Sequence, residues 1–124
     1  MDATMVRVAD RGAGLDWHRI GGDLDAHGCA AVRALLSAEE CAGLAATYAD
    51  DARFRIRVVM ARHGFGRGEY KYFGDPLPGL IVDLRTALYP PLARIANDWN
   101  QAMGIAVRYP DAFADFLARC YRAG

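Results

Sequence analysis

The sequence predicts an α+β fold in which amphipathic helices accompany one short β-hairpin. Apolar residues recur at helical spacing in five segments, a pattern typical of helices that present one face to a core. Between these segments, alternate positions of residues 54–60 are apolar, with arginine between most of them, which indicates a half-buried strand. A glycine-rich stretch and the aromatic run Glu69–Phe73 follow, so we expect the chain to turn back and pair with this strand.

The N-terminal part of the chain is expected to contain a flexible leader followed by the first helix. Residues 1–14 show little apolar pattern, so the ordered domain is expected to cover residues 15–124. Apolar residues then recur at i, i+3 and i+7 and predict a helix over Trp17–His27. Asp16 is placed to cap this helix and Gly28 to end it.

The next two elements are predicted to be a short strand and a second helix. The apolar run Cys29–Leu35 has no helix cap, which favours an extended segment. Ser37 and Glu40 have the spacing of a capping box, so a helix is expected over Ala38–Tyr48. Tyr48 lies on the apolar stripe of this helix, and we expect it in the core.

The predicted hairpin has an unusual loop. Gly64, Gly66 and Gly68 occupy every second position, which lets the backbone adopt positive φ angles or approach a ligand closely. In the returning strand, Glu69–Phe73, the two tyrosines are expected on one face and Lys71 on the other.

The C-terminal part of the chain is expected to form three helices. The first is predicted over Pro78–Tyr89, and the pair Pro90 and Pro91 is expected to end it. A second helix then covers Leu92–Met103, where apolar residues recur at i, i+3, i+4, i+7 and i+11. Asp111 is placed to cap the last helix.

Composition indicates one soluble globular domain of ordinary type. The 124 residues are 53 % apolar and 24 % charged. No apolar run approaches the roughly 18 to 20 residues that span a bilayer, and the N-terminus lacks the apolar middle of a signal peptide. A cytoplasmic location is therefore predicted, with no membrane partner. The three cysteines are widely spaced, which predicts free thiols rather than a disulfide framework or a zinc ribbon.

Positive charge is concentrated around the predicted hairpin. Residues 53–71 contain five arginines and one lysine against one glutamate, although the whole chain has a net charge of zero. One interpretation is a solvated face whose cations balance the negative charge of the acidic N-terminal helices. The other is an anion-binding surface for a polyanionic substrate or an acidic cosubstrate, because arginine presents a planar fork that suits phosphate and carboxylate.

The three histidines do not have the spacing of a metal site. His18 and His27 stand at the two ends of the first predicted helix, where surface positions are the simpler interpretation. Asp23 and His27 form an i, i+4 pair that could share a cation, but two ligands do not make a structural site. His63, between an arginine and the glycines, is expected either to contact a bound anion or to hydrogen-bond the loop backbone.

Four segments carry a resemblance to a known family: MARHGFGRGEYKYF (60–73), DPLPGLIVDLRTALYPPLARIANDWN (75–100), YPDAFADFLARCYRAG (109–124) and GDLDAHGCAAVRALLSAEECAGLAATY (22–48). Together they resemble the N-terminal half of bacterial 2-oxoglutarate- and Fe(II)-dependent oxygenases. Within that superfamily the chain is similar to the group described as acting in oxidative demethylation of damaged nucleic acid, with broader kinship to prolyl hydroxylase-like enzymes.

The resemblance implies a fold and a chemistry that this chain holds only in part. The family oxidises a substrate C–H bond with O2 and 2-oxoglutarate at an iron held by H-x-D and a later histidine. Here Ile20, Cys29 and Phe65 stand where that motif would place its carboxylate. The resemblance therefore implies a helical layer and short strands that would buttress a double-stranded β-helix, with the barrel itself largely absent. A truncated chain is expected that is inactive alone, with no catalytic residue, metal ligand or cofactor of its own.

The resemblance also suggests which residues meet a substrate. The two strand tyrosines are candidates for hydrogen bonds to cosubstrate or substrate, and three cations are candidate anion contacts. The complete set of candidate binding residues is Arg62, His63, Arg67, Tyr70, Lys71 and Tyr72. The alternative is a small non-enzymatic module that uses the arginine-rich hairpin to hold nucleic acid.

A chain without its barrel should leave apolar surface uncovered. The faces around Leu84, Trp99 and Phe116 are therefore expected to be partly exposed, which favours self-association or a loose fold.

Overall fold

A computed structural model describes residues 7–124 of the chain, which divide into two compact units. The helical unit combines the residues up to Leu35 with Leu80–Gly124, and the hairpin unit is Leu36–Gly79. The elements are the helices α1 (Val8–Ala13), α2 (Trp17–His27), α3 (Ala38–Ala46), α4 (Gly79–Ala102) and α5 (Phe113–Ala123), and the strands β1 (Phe54–Val59) and β2 (Glu69–Phe73).

Helix α2 has the bounds and both ends that the sequence predicts. The Asp16 carboxylate accepts a hydrogen bond of 3.0 Å from the Arg19 backbone N–H, which satisfies a free donor of the first turn. Gly28 ends the helix at φ 73°, in the left-handed region that glycine adopts without strain. The Ile20 side chain is buried, so this helix contributes to the small core of the helical unit.

The predicted leader holds a helix in its described part. Residues 1–6 lie outside the described residues, but Val8–Ala13 form α1 instead of a loosely packed segment. Val8 is buried, and the Trp17 indole N–H donates a 2.9 Å hydrogen bond to the carbonyl of Gly12. A helix of six residues is too short to show a periodic pattern, so the sequence does not predict α1.

The proline pair does not end a helix. Pro90 and Pro91 lie inside α4, which is continuous over residues that the sequence predicts as two helices. A proline inside a helix costs on the order of 3 kcal/mol, so packing must offset it. Ala87, just before the pair, lies against Gly12 of α1, and Ala93, just after it, is buried. Both halves therefore have packing that a break would disturb.

The chain between α4 and α5 forms neither helix nor strand, and the Asn97 side chain holds it in place. The Asn97 amide donates a 2.9 Å hydrogen bond to the carbonyl of Tyr109 and accepts one of 2.7 Å from its backbone N–H. The predicted cap of α5 is wrong, because the N-cap residue is Ala112, which has no side-chain cap, and not Asp111. Helix α5 is held by aromatic contacts, with the Tyr89 ring centroid 5.4 Å from that of Phe116.

Two expectations around α3 are corrected and one is confirmed. The capping box of Ser37 and Glu40 is present, with both reciprocal hydrogen bonds formed. The segment Cys29–Leu35 is irregular rather than a strand, and Ala34 has a φ of 57°. Tyr48 lies in a single 3₁₀ turn after α3 and is 41 % exposed, so it is not a core residue.

The predicted hairpin is confirmed. Strands β1 and β2 pair antiparallel, with Ile56 opposite Tyr72 and Val58 opposite Tyr70. The register shifts between Phe54 and Ile56, which is a β-bulge. This pair is the sheet of the hairpin unit.

Little apolar surface is buried among the described residues. Val8, Ile20 and Ala93 are the buried hydrophobic residues of residues 7–124. Trp99 is 36 % exposed, and Leu84 and Phe116 are half-buried, which confirms the partial exposure expected around these side chains. Within the same residues, the structure shows no helix with the length and hydrophobicity to cross a membrane.

Candidate functional site

One face of the hairpin carries exposed aromatic and aliphatic side chains, and we call it the aromatic face. Residues directly opposite each other in a ladder point to the same side of the sheet, so the aromatic face consists of Ile56, Val58, Tyr70 and Tyr72. Ile56 and both tyrosines are exposed. The two tyrosine rings meet edge to face, with centroids 5.5 Å apart. A sheet face of this kind offers flat π-surfaces to solvent instead of packing on a core.

An arginine joins the aromatic face at the bulge. Arg55 is at the register shift, where a bulge changes the direction of side chains. Its guanidinium carbon lies 5.2 Å from the centroid of the Tyr72 ring, which is a cation–π distance. A guanidinium stacked on a ring keeps its in-plane N–H groups free for an anion.

On the opposite face of the hairpin, oppositely charged side chains pair with each other. The Arg57 Nε lies 3.1 Å from the Glu69 carboxylate across the ladder. This pair is about half exposed, so it contributes at most about 1 kcal/mol and mainly cancels the charge of Arg57.

Lys71 has structural partners, although the sequence proposes it as an anion contact. Its side chain is only 8 % exposed. The ammonium donates to the Tyr48 carbonyl at 2.7 Å and to the Asp51 carboxylate at 3.1 Å. It also lies 4.2 Å from the Tyr48 ring centroid and 5.2 Å from that of Phe54. These contacts tie β2 to the turns that precede β1.

The loop between the strands, residues 60–68, forms the tip of the hairpin. Gly64, Gly66 and Gly68 have φ angles of 70°, 96° and 100°, which confirms the positive φ expected of them. A Cβ added at any of the three would meet nothing within 4 Å, so backbone conformation rather than space requires glycine. The tip is closed by a 2.9 Å hydrogen bond from the Met60 N–H to the Gly68 carbonyl.

The side chains of the tip point to solvent. Phe65 is 73 % exposed, the most exposed phenylalanine among the described residues. Arg62, His63 and Arg67 are also exposed. The His63 and Phe65 rings lie nearly parallel, with centroids 6.5 Å apart. The structure gives none of these three side chains a carboxylate partner within residues 7–124.

The hydroxyl of Tyr70, on the aromatic face, is a neutral hydrogen-bonding group at physiological pH. Desolvation, and then the charge and hydrogen bond of neighbouring Tyr72, raise the pKa of Tyr70 above its usual value of 10.0. Desolvation, and then Glu69, likewise raise the pKa of Tyr48. A protonated phenol can both donate to and accept from a polar ligand.

The six candidate binding residues are thus distributed over three places. Tyr70 and Tyr72 lie together on the aromatic face, Lys71 lies on the opposite face, and the other three lie at the tip. Arg55 and Phe65 are not among the binding residues that the sequence predicts. The bulge that turns Arg55 onto Tyr72 has no sequence signal, but a phenylalanine between two positive-φ glycines does indicate an exposed ring.

The described residues do not form an iron site. Within residues 7–124 no three His, Cys, Asp or Glu side chains are grouped to hold a metal ion. His18 and His27 lie near opposite ends of α2, about 13 Å apart along its axis. The residues present therefore do not fit the ligand set of two histidines and one carboxylate.

The helical unit contains a mainly apolar cavity of about 630 Å³. It lies between α2 and the C-terminal half of α4, where the Trp99 indole N–H donates to the Asp25 carboxylate. The exposed Met103 side chain lies at the same place.

Comparison with known proteins supports an oxygenase-like family for part of the chain. Residues 68–124, which include β2, α4 and α5, match a family described as an oxygenase catalysing oxidative methylation of damaged DNA. The chain is also 36 % identical over 74 residues to two uncharacterized proteins of Mycobacterium tuberculosis, one from strain CDC 1551 and one from strain H37Rv. Those 74 residues are 60 % of this chain and 29 % of each relative, so the chain spans less than a third of these relatives. No solved structure matches the chain significantly.

Proposed function

We propose that this chain is part of a 2-oxoglutarate- and Fe(II)-dependent oxygenase that acts on alkylated nucleic acid, and that its hairpin contacts the nucleic acid. The family match supports an oxygenase related to damaged DNA. The observation that carries the role of the hairpin is its solvent-exposed aromatic face with Arg55 stacked on Tyr72.

This face has the chemistry of a surface for unpaired bases. Exposed tyrosine rings offer stacking platforms that accept any base, worth about 1–3 kcal/mol per stacked base. Arginines beside the platform can hold the phosphate backbone, which supplies most of the affinity for nucleic acid. Tyr70 and Tyr72 lie in the region that matches the oxygenase family, so the platform and the family match overlap on β2.

We assign the iron chemistry to residues other than 7–124. The family cofactors, Fe(II) and 2-oxoglutarate, would supply oxidation of a substrate C–H bond, and residues 7–124 do not provide the iron ligands. We propose that the helices instead support a double-stranded β-helix that holds the iron site. The half-buried apolar faces of α4 and α5 support this role, because they offer surface against which further structure can pack.

The hairpin alone would also suit a small binding module without catalysis. Arginines and exposed aromatics are sufficient for that function. The family match over β2, α4 and α5 favours the oxygenase, because a simple binding module has no reason to share this segment.

The proposal is tested by the affinity of the 124-residue chain for a fluorescent single-stranded oligonucleotide, measured by anisotropy over a salt series. Affinity should fall steeply as salt rises, because arginines displace counterions from the phosphates. Tyr72→Ala should weaken binding by roughly 5- to 150-fold, the equivalent of about 1–3 kcal/mol for one stacked base. Tyr121→Ala, which removes an exposed tyrosine of α5, is the matched control and should bind like the parent chain.

Two results would count against the proposal. Binding that is equally weak for the parent chain and for Tyr72→Ala at low salt would remove the hairpin from nucleic-acid recognition. Affinity that does not change as salt rises would show that the arginines do not hold the phosphate backbone.

A further inference from the structure

We propose that Phe65 is a wedge that enters the base stack of duplex DNA and so locates weakly stacked sites. This inference rests on the proposed function, since it assigns a step of substrate recognition to the tip of the same hairpin. Phe65 lies outside residues 68–124, so the family match does not assign it a role.

The Phe65 side chain is exposed and has no packing role in the described structure. Phe65 is 73 % exposed, which leaves a large apolar ring in water at a considerable cost in transfer free energy. Within the described residues its one ring contact is with His63, which is itself exposed. An apolar ring displayed in this way is free to contact another molecule.

Backbone hydrogen bonds hold the Phe65 residue in place. The Phe65 N–H donates a 3.2 Å hydrogen bond to the Met60 carbonyl, and the Gly64 N–H donates one of 3.3 Å to the Ala61 carbonyl. Gly64 and Gly66, on either side of Phe65, both have positive φ angles. The loop is therefore a defined turn that presents one residue at its apex, which lowers the entropy cost of inserting the ring.

The tip of the hairpin is positively charged. Residues 60–68 contain Arg62 and Arg67 and no acidic residue. An apolar wedge flanked by cations matches the structure of DNA, in which stacked bases lie between two lines of phosphate. Proteins that kink DNA insert phenylalanine and similar residues between base steps in this way.

The energies favour damaged sites. Unstacking a base step costs free energy, and the cost is smallest where a base is mismatched or damaged. Burial of the phenylalanine ring releases free energy, which offsets this cost more completely at a weak step than at a strong one. The wedge would therefore pause at weakly stacked sites.

The test uses duplex DNA with 2-aminopurine beside a mismatch, because the fluorescence of this base rises when it is unstacked. The 124-residue chain should raise the fluorescence of the mismatched duplex more than that of the paired duplex. Phe65→Ala should lose this rise but keep salt-dependent binding through the arginines, and Phe65→Trp should restore the rise. Tyr121→Ala, which removes a ring that is 75 % exposed, should behave like the parent chain.

The outcomes separate the wedge from the proposed function. A fluorescence rise that persists in Phe65→Ala, or is absent from the parent chain although it binds the duplex, overturns the wedge and leaves the proposed function standing. Absence of binding to any nucleic acid overturns both. Tighter binding to vesicles of anionic phospholipid than to DNA, lost in Phe65→Ala, would show that the ring meets a membrane and would overturn the wedge.

Discussion

At the scale of single residues, the cations of the hairpin unit belong to two kinds that the sequence does not distinguish. Lys71 is nearly buried and has a carbonyl, a carboxylate and two aromatic rings around its ammonium. Arg62 is exposed and has no carboxylate partner within the described residues. The first kind stabilises the unit, and the second is available to a ligand.

Lys71→Met is expected to destabilise the hairpin unit by about 1–3 kcal/mol, since it removes the cation–π contacts and a charged hydrogen bond and leaves the Tyr48 carbonyl without its donor. The contact with Asp51 should contribute little, because that carboxylate is well exposed. Hydrogen exchange of the β1 and β2 amides measures the change. Arg62→Met, the control, should change stability by no more than about 0.5 kcal/mol. Equal protection in the two variants would show that Lys71 does not hold the unit together.

The sequence predicts which residues form the hairpin better than it predicts what each of them does. The alternation of residues 54–60 and the glycines of the tip are local signals, and the structure confirms both. The position of Lys71 depends on Tyr48 and Asp51, which are more than 19 residues away along the chain. Its burial therefore comes from tertiary contacts that periodicity does not contain.

At the scale of elements, the contact of α1 with α4 is the feature that the sequence hides most completely. A Cβ added to Gly12 would lie 3.1 Å from the Ala87 Cβ, so the two helices approach closely at this glycine. The contact lies one turn before the proline pair of α4. The packing of α1 on α4 therefore stabilises both the short helix and the uninterrupted long helix. Both helices differ from the sequence prediction because packing overrides local propensity.

Gly12→Val is expected to destabilise the helical unit by about 1–3 kcal/mol, because the added atoms force α1 away from Ala87. Gly22→Ala is the matched control, since a Cβ at Gly22 in α2 meets nothing within 4 Å. That change should stabilise the protein by about 0.5–1 kcal/mol through better helix propensity. Urea unfolding followed by circular dichroism measures both. If Gly12→Val were as stable as the parent chain, α1 would not be packed on α4 as described.

At the scale of the whole chain, the small number of buried apolar residues is the main property. Three hydrophobic residues are buried among residues 7–124, whereas Trp99, Met103 and Tyr121 are exposed. The sequence anticipates this exposure only through the family resemblance, because periodicity shows which face of a helix is apolar and not what covers it. Contiguous exposed apolar surface is typical of interaction sites.

The chain alone is expected to bind a hydrophobic dye and to associate with itself as concentration rises. The cavity between α2 and α4, with Trp99 and Met103 beside it, is the expected place of binding. Dye fluorescence and sedimentation at several concentrations measure the two effects. A monomer with little dye binding and a sharp, concentration-independent unfolding transition would contradict this expectation.

Photochemical crosslinking tests most directly the central claim that the hairpin contacts nucleic acid. The chain is mixed with an oligonucleotide that contains a photoreactive thymine analogue, irradiated and digested, and the modified peptides are identified by mass spectrometry. We expect adducts in residues 54–73, on Tyr70, Tyr72 and Phe65, and their loss at high salt. Adducts confined to α2, α4 or α5, or adducts that high salt does not reduce, would contradict the claim.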